Sequence, residues 1–440
     1  MAATKIVIIG AGGAGIALDT LCDLTAHRGV LAGSTIGLVD VDGGRLEQAQ
    51  RLGERLSQAT GAGFRFVAST DRRQVLPGAS FVIIAIEVNR LALWQLDWEI
   101  PRRHGVRHIM GENGGPGGLS HALRTIPIVL DICRDIEALC PEALLMVFTN
   151  PLSRVCLAIS RYTKLRCVGL CHQVGAGIAN IARVLDMAPE DLDLTAAGIN
   201  HFTWALSIRR LADGQDLYPQ FREKLSAWPA SFEPLSRRLL STFGLYPATG
   251  DDHLGEDVGF AWETDELAAH TDRPDLPATF LGQKGTREQA ALVIQEALHD
   301  DDVLADLLDH RSGERIVPTI CAVLENMHQY EIAVNTVNNG CIANLPDWAV
   351  VEAPALVSAE GVKPVVVGSL PEGCAALLAQ RIAIHSLTVE AAVHGDRQAA
   401  LQALLLDPVV PGYEAAVATL DDLLQAHAAH LPQFRSHNRD

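Results

Sequence analysis

The stretch Lys5-Ile6-Val7-Ile8-Ile9-Gly10-Ala11-Gly12-Gly13-Ala14-Gly15 decides the fold predicted for this chain. Its first five residues have the apolar character of a short buried strand, and an apolar helix is expected after the last glycine. The glycines complete the spacing G-x-G-x-x-G. The first permits a tight turn, the second lets a pyrophosphate approach the backbone, and the third lets helix and strand pack closely. Because a helix N-terminus favours anions, we predict a dinucleotide site formed by Gly10, Gly12, Gly13 and Gly15.

The acidic residue Asp40 indicates which dinucleotide is bound. It directly follows a second predicted strand, Thr35 to Val39. A carboxylate at this position can hydrogen-bond both ribose hydroxyls and would repel a 2′-phosphate, so NAD is favoured over NADP. A chance glycine turn is the alternative, but the strand, turn and helix appear in the order that the motif requires.

Strand and helix patterns alternate up to about residue 197 and then become irregular. The alternation predicts an α/β protein whose residues 1–197 form a Rossmann-type, doubly wound parallel sheet. Residues 198–440 are expected to form a second, mixed α/β domain that is rich in helices. The main helices expected along the chain are 90–103, 119–140, 217–241, 286–309, 314–330, 371–393, 396–405 and 413–430.

Composition excludes several classes of partner. The 440 residues are 48% hydrophobic and 20% charged, and no run looks long and apolar enough to span a bilayer. Met1 leads directly into a strand, and the nine cysteines show no disulfide spacing, so we expect a cytoplasmic protein. The net charge of −18 argues against nucleic acid and anionic membranes as partners.

Two polar pairs follow short apolar runs and form a candidate metal site. Cys171-His172 follows one run, and Asn200-His201 follows another. Residues at the carboxyl ends of neighbouring strands face a shared crevice, so the thiol and the imidazoles are expected to meet beside the dinucleotide. The alternative is a buried structural cysteine and a hydrogen-bonded core histidine.

Further candidates lie on connections between the predicted elements. The segment 111–118 contains five glycines and predicts a flexible loop that carries Glu112. Asn150 ends another strand and would bind a ribose or substrate hydroxyl, or else cap the next helix. The polar segment 246–256 is either part of a site or a solvated acidic turn. Solvated tail positions are expected for His427, His430 and His437.

Taken in order, a set of short motifs is similar to the NAD-dependent glycosidases of glycoside hydrolase family four over nearly the whole chain. The matching stretches are 10–15, 38–42, 117–118, 122–127, 149–151, 169–172, 198–204, 344–346, 351–354 and 395–404. The resemblance implies a fold like that of lactate and malate dehydrogenases, followed by a mixed α/β domain.

The resemblance also implies a reaction that differs from the usual two-carboxylate glycosidase mechanism. NAD takes hydride from C3 of the sugar, a base removes the acidified C2 proton, and a divalent metal stabilises the enolate. The aglycone is eliminated from C1, water adds, and the hydride returns, so hydrolysis consumes no cofactor. Cys171 and His201 match the two metal ligands of the family. Thiolate and imidazole alone would suggest zinc, but the family uses manganese.

The remaining roles implied by the resemblance are less specific. Asp251 and Tyr246 are the candidates for the C2 base, and His172 could protonate the leaving oxygen. Substrate contacts are expected from Glu112, Asn150 and Asn200. Arg90 and Arg315 are possible clamps for an anionic C6 group, although each is more often a surface ion-pair partner.

The substrate expected from these residues is a small glycoside. His172, where phospho-sugar members carry Asp or Asn, favours an α-glucoside, an α-galactoside or a hexuronide, and a sulfoquinovoside or another C6-anionic sugar is the alternative. A 2-hydroxyacid dehydrogenase and a non-catalytic NAD or sugar sensor are the other hypotheses. Members of the family commonly form homodimers or homotetramers.

Overall fold

The strands of this computed structural model form one sheet. Residues 4–264 and 278–435 are described, except for the side chains of 278–281. The strands in these ranges are β1 (Lys5–Ile9), β2 (Thr35–Val39), β3 (Arg65–Ser69), β4 (Phe81–Ile84), β5 (Leu144–Val147), β6 (Arg166–Gly169), β7 (Leu192–Ile199), β8 (Phe202–Arg210), β9 (Tyr246–Pro247), β10 (Gln329–Val337), β11 (Val350–Ser358) and β12 (Gly361–Pro364).

Helices cover both faces of this sheet. In chain order they are α1 (Ala14–Ala26), α2 (Arg28–Leu31), α3 (Gly43–Thr60), α4 (Arg72–Val75), α5 (Arg90–Arg103), α6 (Gly115–Leu139), α7 (Leu152–Tyr162), α8 (Gln173–Leu185), α9 (Tyr218–Ala227), α10 (Pro234–Phe243), α11 (Asp251–Leu254), α12 (Ala278–Ala297), α13 (Asp301–Leu308), α14 (Ile316–Leu324), α15 (Glu372–His394), α16 (Arg397–Leu406) and α17 (Tyr413–Ala426).

The first six strands confirm the predicted doubly wound fold. They are all parallel and lie in the order β3-β2-β1-β4-β5-β6. This is the strand order of dinucleotide-binding domains, in which the ligand lies in the crevice between the strands where the order reverses. Here that crevice opens between β1 and β4, directly beside the glycine turn at residues 10–15.

The second half of the sheet is antiparallel and contains a strand that the sequence did not reveal. The order continues β6-β10-β11-β7-β8-β9, and β12 pairs with β11. The prediction of a helix up to residue 330 followed by a polar segment was wrong, because Gln329–Val337 forms β10. Its polar residue Asn335 is buried and hydrogen-bonded within the sheet, which hides the alternation expected of a strand.

One row of paired residues joins the two halves of the sheet. Gly169 of β6 pairs with Asn335, Asn335 with Glu352 of β11, and Glu352 with Gly198 of β7. The expectation that β6 and β7 are neighbouring strands was therefore wrong, because β10 and β11 lie between them. The three antiparallel pairings make β6 and β7 run in opposite directions, and both strands end at this row.

The predicted domain boundary lies inside a continuous structure. The division at residues 197–198 cuts β7, and the sheet passes through it unbroken. Helices from the second half also complete both cores around the first half. One face of the parallel sheet packs against α15, α16 and α17, and the other against α12, α13 and α14. The division into 1–197 and 198–440 stays a prediction.

Helix α15 has the length and apolar composition of a membrane span, although the sequence was expected to contain no such segment. Half of its apolar window is buried. Its Arg381 is 1% exposed and forms ion pairs with Asp257 (2.6 Å) and Asp407 (3.1 Å). Because these pairs hold α15 inside the fold, we assign it to the core.

The C-terminal histidines do not share one environment. His427 is fully buried, and its Nε2 lies 2.9 Å from Asp97 Oδ1, so the expectation of a solvated tail was wrong for this residue. Arg124 pairs with the other oxygen of Asp97 at 2.6 Å. The end of α17 is therefore attached to α5 and α6 by a buried charge cluster. His437 lies outside the described residues.

Candidate functional site

A cleft of about 1370 Å³ lies at the crevice between β1 and β4 and is lined by residues 10–17, Asp40, Arg90 and Phe148. Gly10 has φ 99°, and a side chain at Gly12 would come within 2.7 Å of the Asp40 carboxyl carbon. Helix α1 has no side-chain cap, so its N-terminal N–H groups are available to an anion.

Gly15 does not have the role expected of the third glycine. A Cβ built at this position has no atom within 4 Å, so the glycine is not needed for close packing of helix on strand. Gly15 instead lines the cleft, where the missing side chain keeps space open. The cradle at Gly10, Gly12, Gly13 and Asp40 therefore fits a dinucleotide, as the predicted NAD site requires.

The structure brings Cys171 and His201 together. Cys171 follows the end of β6, and its Sγ lies 3.5 Å from His201 Nε2. His201 occupies the two-residue turn between β7 and β8 with a left-handed φ of 66°. Zinc–sulfur and zinc–nitrogen bonds are about 2.3 and 2.0–2.1 Å long. Two donors 3.5 Å apart can therefore bind the same ion.

The burial of Cys171 and His201 determines their protonation states in the absence of a metal ion. Burial and the nearby charge of Glu352 raise the pKa of the Cys171 thiol to about 12. Burial and the neighbouring His253 hold the pKa of His201 well below its usual value. The metal-free pair is therefore a neutral thiol and a neutral imidazole. A divalent cation would favour the thiolate and release its proton.

Two further donors lie against His201. The ligand atoms of His201, His253 and Glu256 all lie within 4.8 Å of one another. The rings of His201 and His253 pack edge to face, with 4.2 Å between the ring centres. His253 Nδ1 has no hydrogen-bond partner among the described residues. Cys171 is not a member of this group of three, so His201 is the residue that the two sets of donors share.

Glu112 connects the metal donors with the dinucleotide cleft. This buried carboxylate contacts Arg90, a residue of the cleft wall, and accepts a hydrogen bond from Asn150 Nδ2 (3.1 Å). Burial alone would raise its pKa, but the charge of Arg90 and the hydrogen bond from it lower that pKa well below the usual range. Glu112 is therefore an anion between the cleft and the histidines.

Comparison with known protein families covers nearly the whole chain. The family model "Family 4 glycosyl hydrolase" matches residues 5–187, and the model of its C-terminal domain matches residues 196–410. The chain belongs to glycosyl hydrolase family 4. Its recognition from sequence as an NAD- and metal-dependent glycosidase type is thereby confirmed, and the chain is a glycosidase.

Relatives within family 4 act on different sugars. The chain is 34% identical to an α-glucosidase of Erwinia rhapontici, over 92% of this chain and 94% of the relative. It is 31% identical to an α-galactosidase of Bacillus subtilis, over 98% and 100%. A 6-phospho-α-glucosidase from gut microorganisms, solved with NAD and Mn²⁺, has the same fold (TM-score 0.83, 21% identity, coverage 99% and 100%).

The two candidates for the base differ in their surroundings. Asp251 accepts hydrogen bonds from Leu235 N (2.6 Å), Ser236 N (2.8 Å) and Ser236 Oγ (2.6 Å) at the N-terminus of α10. Burial raises the pKa of Asp251, although these donors act in the opposite direction. The hydroxyl of Tyr246 is buried near Ser236 but forms no hydrogen bond of standard geometry in the described parts of the chain.

Tyr246 is the poorer of the two bases. Burial, followed by the charges of Glu233 and Asp251, raises its pKa well above the usual value for tyrosine. A tyrosine that removes a proton near neutral pH needs the opposite shift. The side chain packs against Phe221 at 5.0 Å between ring centres, which is a core environment.

His172 is exposed beside the donors and is not buried with them. Its side chain is 66% exposed, and its Nδ1 lies 3.3 Å from Glu314 Oε1. The hydrogen bond to Glu314 raises the pKa of His172 despite the opposing effect of burial. A raised pKa suits a group that is to donate a proton to a leaving oxygen.

The two arginines nominated as anion clamps are both already paired. Arg90 contacts Glu112 and lies 3.5 Å from Glu87. Arg315 binds Glu331 with both ends of its guanidinium group, at 2.9 and 2.7 Å. Carboxylates offset both guanidinium charges, although Nε and Nη1 of Arg90 have no hydrogen-bond partner among the described residues.

Asn200 is turned toward the sheet row described above. Its Nδ2 donates to Glu352 Oε1 (3.2 Å), which also accepts from Asn335 Nδ2 (2.7 Å). Burial raises the pKa of Glu352 to about 7. Glu352 Oε2 has no partner in the ranges that the structure describes. The substrate contact expected of Asn200 stays a prediction.

The glycine-rich segment is a close-packed support and not the flexible loop that was expected. Residues 115–118 are the first turn of α6, and all of residues 111–118 except Asn113 are buried. A side chain at Gly117 would overlap the carbonyl of Gly111, and one at Gly114 would come within 2.5 Å of the carbonyl of Glu256. The glycines are therefore needed for contact between this segment and its neighbours.

Several residues of the site were missed in the sequence. These include Asn113, His253, Glu256, Glu314, Asn335 and Glu352. The i, i+3 spacing of His253 and Glu256 was a usable signal, because it places both side chains on one face of a helical turn. Glu352, the one charged residue in an otherwise apolar strand, was another.

Proposed function

We propose that this family 4 enzyme hydrolyses a neutral α-hexopyranoside, such as an α-glucoside or an α-galactoside, by redox-assisted elimination with NAD and Mn²⁺ or another divalent ion. The observation that carries the proposal is the 3.5 Å separation of Cys171 Sγ and His201 Nε2. Glu112 contacts Arg90 on the wall of the NAD cleft, and its N–H group donates to Glu256, one of the donors grouped with His201.

When bound, NAD would accept and return a hydride at C3 of the sugar, and the divalent ion would stabilise negative charge on the C2 and C3 oxygens. Residues of the chain would bind and orient these two groups and the sugar. Gly10, Gly12, Gly13 and Asp40 would hold the dinucleotide, and Cys171 and His201 the ion. Glu112, Asn150 and Asn200 would contact hydroxyl groups of the substrate or ribose.

Two residues would move protons in this scheme. Asp251 would remove the C2 proton, and His172 would deliver a proton to the leaving oxygen. Tyr246 is less suited to the first task because its hydroxyl is buried and its pKa is raised. His172 is accessible and paired with Glu314, which keeps it protonated to higher pH.

A neutral sugar is favoured by the charges around the site. Carboxylates neutralise Arg90 and Arg315, the two residues proposed as anion clamps. The site also contains the buried acidic residues Glu112 and Glu352. A phosphate, sulfonate or carboxylate on C6 would need an unpaired cation nearby. Relatives named α-glucosidase and α-galactosidase support a neutral substrate, whereas others are named for anionic sugars, as a probable 6-phospho-β-glucosidase and an α-galacturonidase.

Nitrophenyl glycosides test this proposal directly. Gluco, galacto, glucurono, 6-phospho and sulfoquinovo substrates are incubated with NAD, Mn²⁺ and reductant, and parallel samples lack either cofactor. We expect cleavage of a neutral α-glycoside that requires both cofactors, without accumulation of NADH. Preferred cleavage of an anionic substrate would contradict the substrate assignment, and cleavage without NAD would contradict the mechanism.

A cytoplasmic location and a homodimer or homotetramer stay predictions that rest on the sequence and on the family resemblance. Light scattering coupled to size-exclusion chromatography would measure the oligomeric state.

A further inference from the structure

The side chain of Asn113 is placed against the second nitrogen of His201. Asn113 Nδ2 lies 3.4 Å from His201 Nδ1, on the opposite side of the ring from Cys171. Asn113 Oδ1 is buried and has no hydrogen-bond partner within residues 4–264 and 278–435. A buried amide oxygen without a partner is costly, so a donor for it is expected.

The backbone of Asn113 is fixed from both sides. Its N–H group donates to Glu256 Oε1 (3.0 Å), and its carbonyl accepts a hydrogen bond from the buried Arg154. A side chain at Gly118 would overlap the same carbonyl, so this approach depends on glycine. The terminal amide of Asn113 is therefore presented to His201 by a segment that has no space to shift.

The two ends of this amide have different consequences for His201. A neutral imidazole carries one proton, so only one of its nitrogens has a free lone pair. If Asn113 Nδ2 donates to Nδ1, the proton is on Nε2 and blocks the nitrogen that faces Cys171. A half-turn of the amide presents Oδ1 to an Nδ1–H group instead and leaves Nε2 free for an ion.

We propose that Asn113 is a positioning residue of the metal site, and that its Oδ1 accepts the Nδ1 proton of His201 whenever the ion is bound. A histidine that binds a metal typically donates its other N–H group to an oxygen, which fixes the tautomer and the ring. The arrangement also gives the buried Oδ1 of Asn113 its missing partner. This inference rests on the proposed roles of Cys171 and His201.

Mn²⁺ binding to the full-length protein tests the inference without measuring activity. Free Mn²⁺ is followed by electron paramagnetic resonance for the wild type, Asn113→Leu, Asn113→Asp and the control Asn344→Leu. Within the described residues, the side chain of Asn344 forms its hydrogen bonds with the backbone of Leu370. We expect Asn113→Leu to weaken Mn²⁺ binding by about 10–100-fold. Asn113→Asp, which keeps the acceptor, and Asn344→Leu should bind like the wild type.

A second measurement covers the case in which Asn113→Leu does not fold, as judged by thermal melting and NAD binding. In the wild type loaded with diamagnetic Zn²⁺, ¹⁵N nuclear magnetic resonance of labelled histidine should show the His201 proton on Nδ1. Wild-type affinity in Asn113→Leu, loss of binding in Asn113→Asp, or a proton on Nε2 would each overturn the inference. If Cys171→Ser and His201→Ala also keep Mn²⁺, the proposed function itself has failed.

Discussion

Cys171 and His201 lie on different connections of the sheet, but the thiol sulfur and the imidazole Nε2 are only 3.5 Å apart. We expect Cys171→Ser and His201→Ala to lose Mn²⁺ affinity by more than about 100-fold, beyond the 10–100-fold typical of supporting residues. Activity should disappear with the metal. NAD binding should survive, because the glycine cradle at residues 10–15 belongs to different elements. Electron paramagnetic resonance of free Mn²⁺ and titration with NAD measure the two affinities, and normal turnover in either variant would remove the proposed site.

The choice of base is settled by a matched pair of variants. Tyr246→Phe removes a hydroxyl that forms no hydrogen bond of standard geometry among the described residues, so we expect nearly unchanged turnover. Asp251→Asn keeps an acceptor at the N-terminus of α10 but cannot take up the proton, and kcat should fall by about 10²–10⁴-fold. Exchange of deuterium into C2 in heavy water reports on this step. Retained exchange in Asp251→Asn together with its loss in Tyr246→Phe would reverse the assignment.

The pH profile should depend on Glu314. A raised pKa of His172 means that the protonated acid persists at higher pH and is lost as the pH rises through that value. Glu314→Gln removes this cause, so the alkaline fall in kcat should move to lower pH. Alkyl glycosides, which need protonation, should show the shift. Nitrophenyl glycosides are the control, and an unchanged alkyl profile would argue against His172 as the acid.

At the scale of elements, the glycines of α6 set the position of the segment that carries Glu112 and Asn113. Gly117→Ala forces a methyl group into the carbonyl of Gly111, and we expect a loss of about 1–3 kcal/mol in the free energy of unfolding. Gly29→Ala in α2 is the matched control, because a Cβ there has no atom within 4 Å. Urea denaturation compares the two. Equal free energies of unfolding for the two variants would mean that the segment shifts to accommodate the added methyl group.

Elements with a simple local pattern were predictable from sequence, and elements shaped by partners were not. Helix α5 was predicted with the bounds that it has, and β1 and β2 follow directly from their apolar runs. Strand β10 was missed because Asn335 is polar yet buried by a partner on β11. The start of α6 was missed because its glycines read as a loop, whereas their contacts with Gly111 and Glu256 are tertiary.

At the scale of the whole molecule, the two halves of the chain depend on each other for their cores. Helices α12–α17 cover both faces of the parallel sheet, and a separate fragment 1–197 would expose those faces. We expect urea to unfold the full chain in one transition, with circular dichroism and tryptophan fluorescence coinciding. Fragment 1–197 should not fold alone. A stable, NAD-binding fragment would show that the predicted boundary separates independent domains.

The site depends on the arrangement of the whole molecule, so only part of it could be predicted from the sequence. Its donors are distant along the chain, and Cys171 and His201 meet only because β6 and β7 end at one row after two intervening strands. Their positions after two predicted strands led us to expect that they would meet, but by the wrong arrangement of strands. Asn113, just before α6, and Glu256, just after α11, are brought to the turn that carries His201 by tertiary contacts, which no local pattern encodes.

The unbroken sheet also restricts how a sugar can enter. Strand pairing continues from β6 through β10 and β11 to β7, with one residue pair at each outer link, so separation of the two halves would break pairing within the sheet. We therefore expect substrate to enter and product to leave through loop displacements at the rim. A covalent crosslink between outer helices of the two halves should accordingly leave the rate of turnover unchanged.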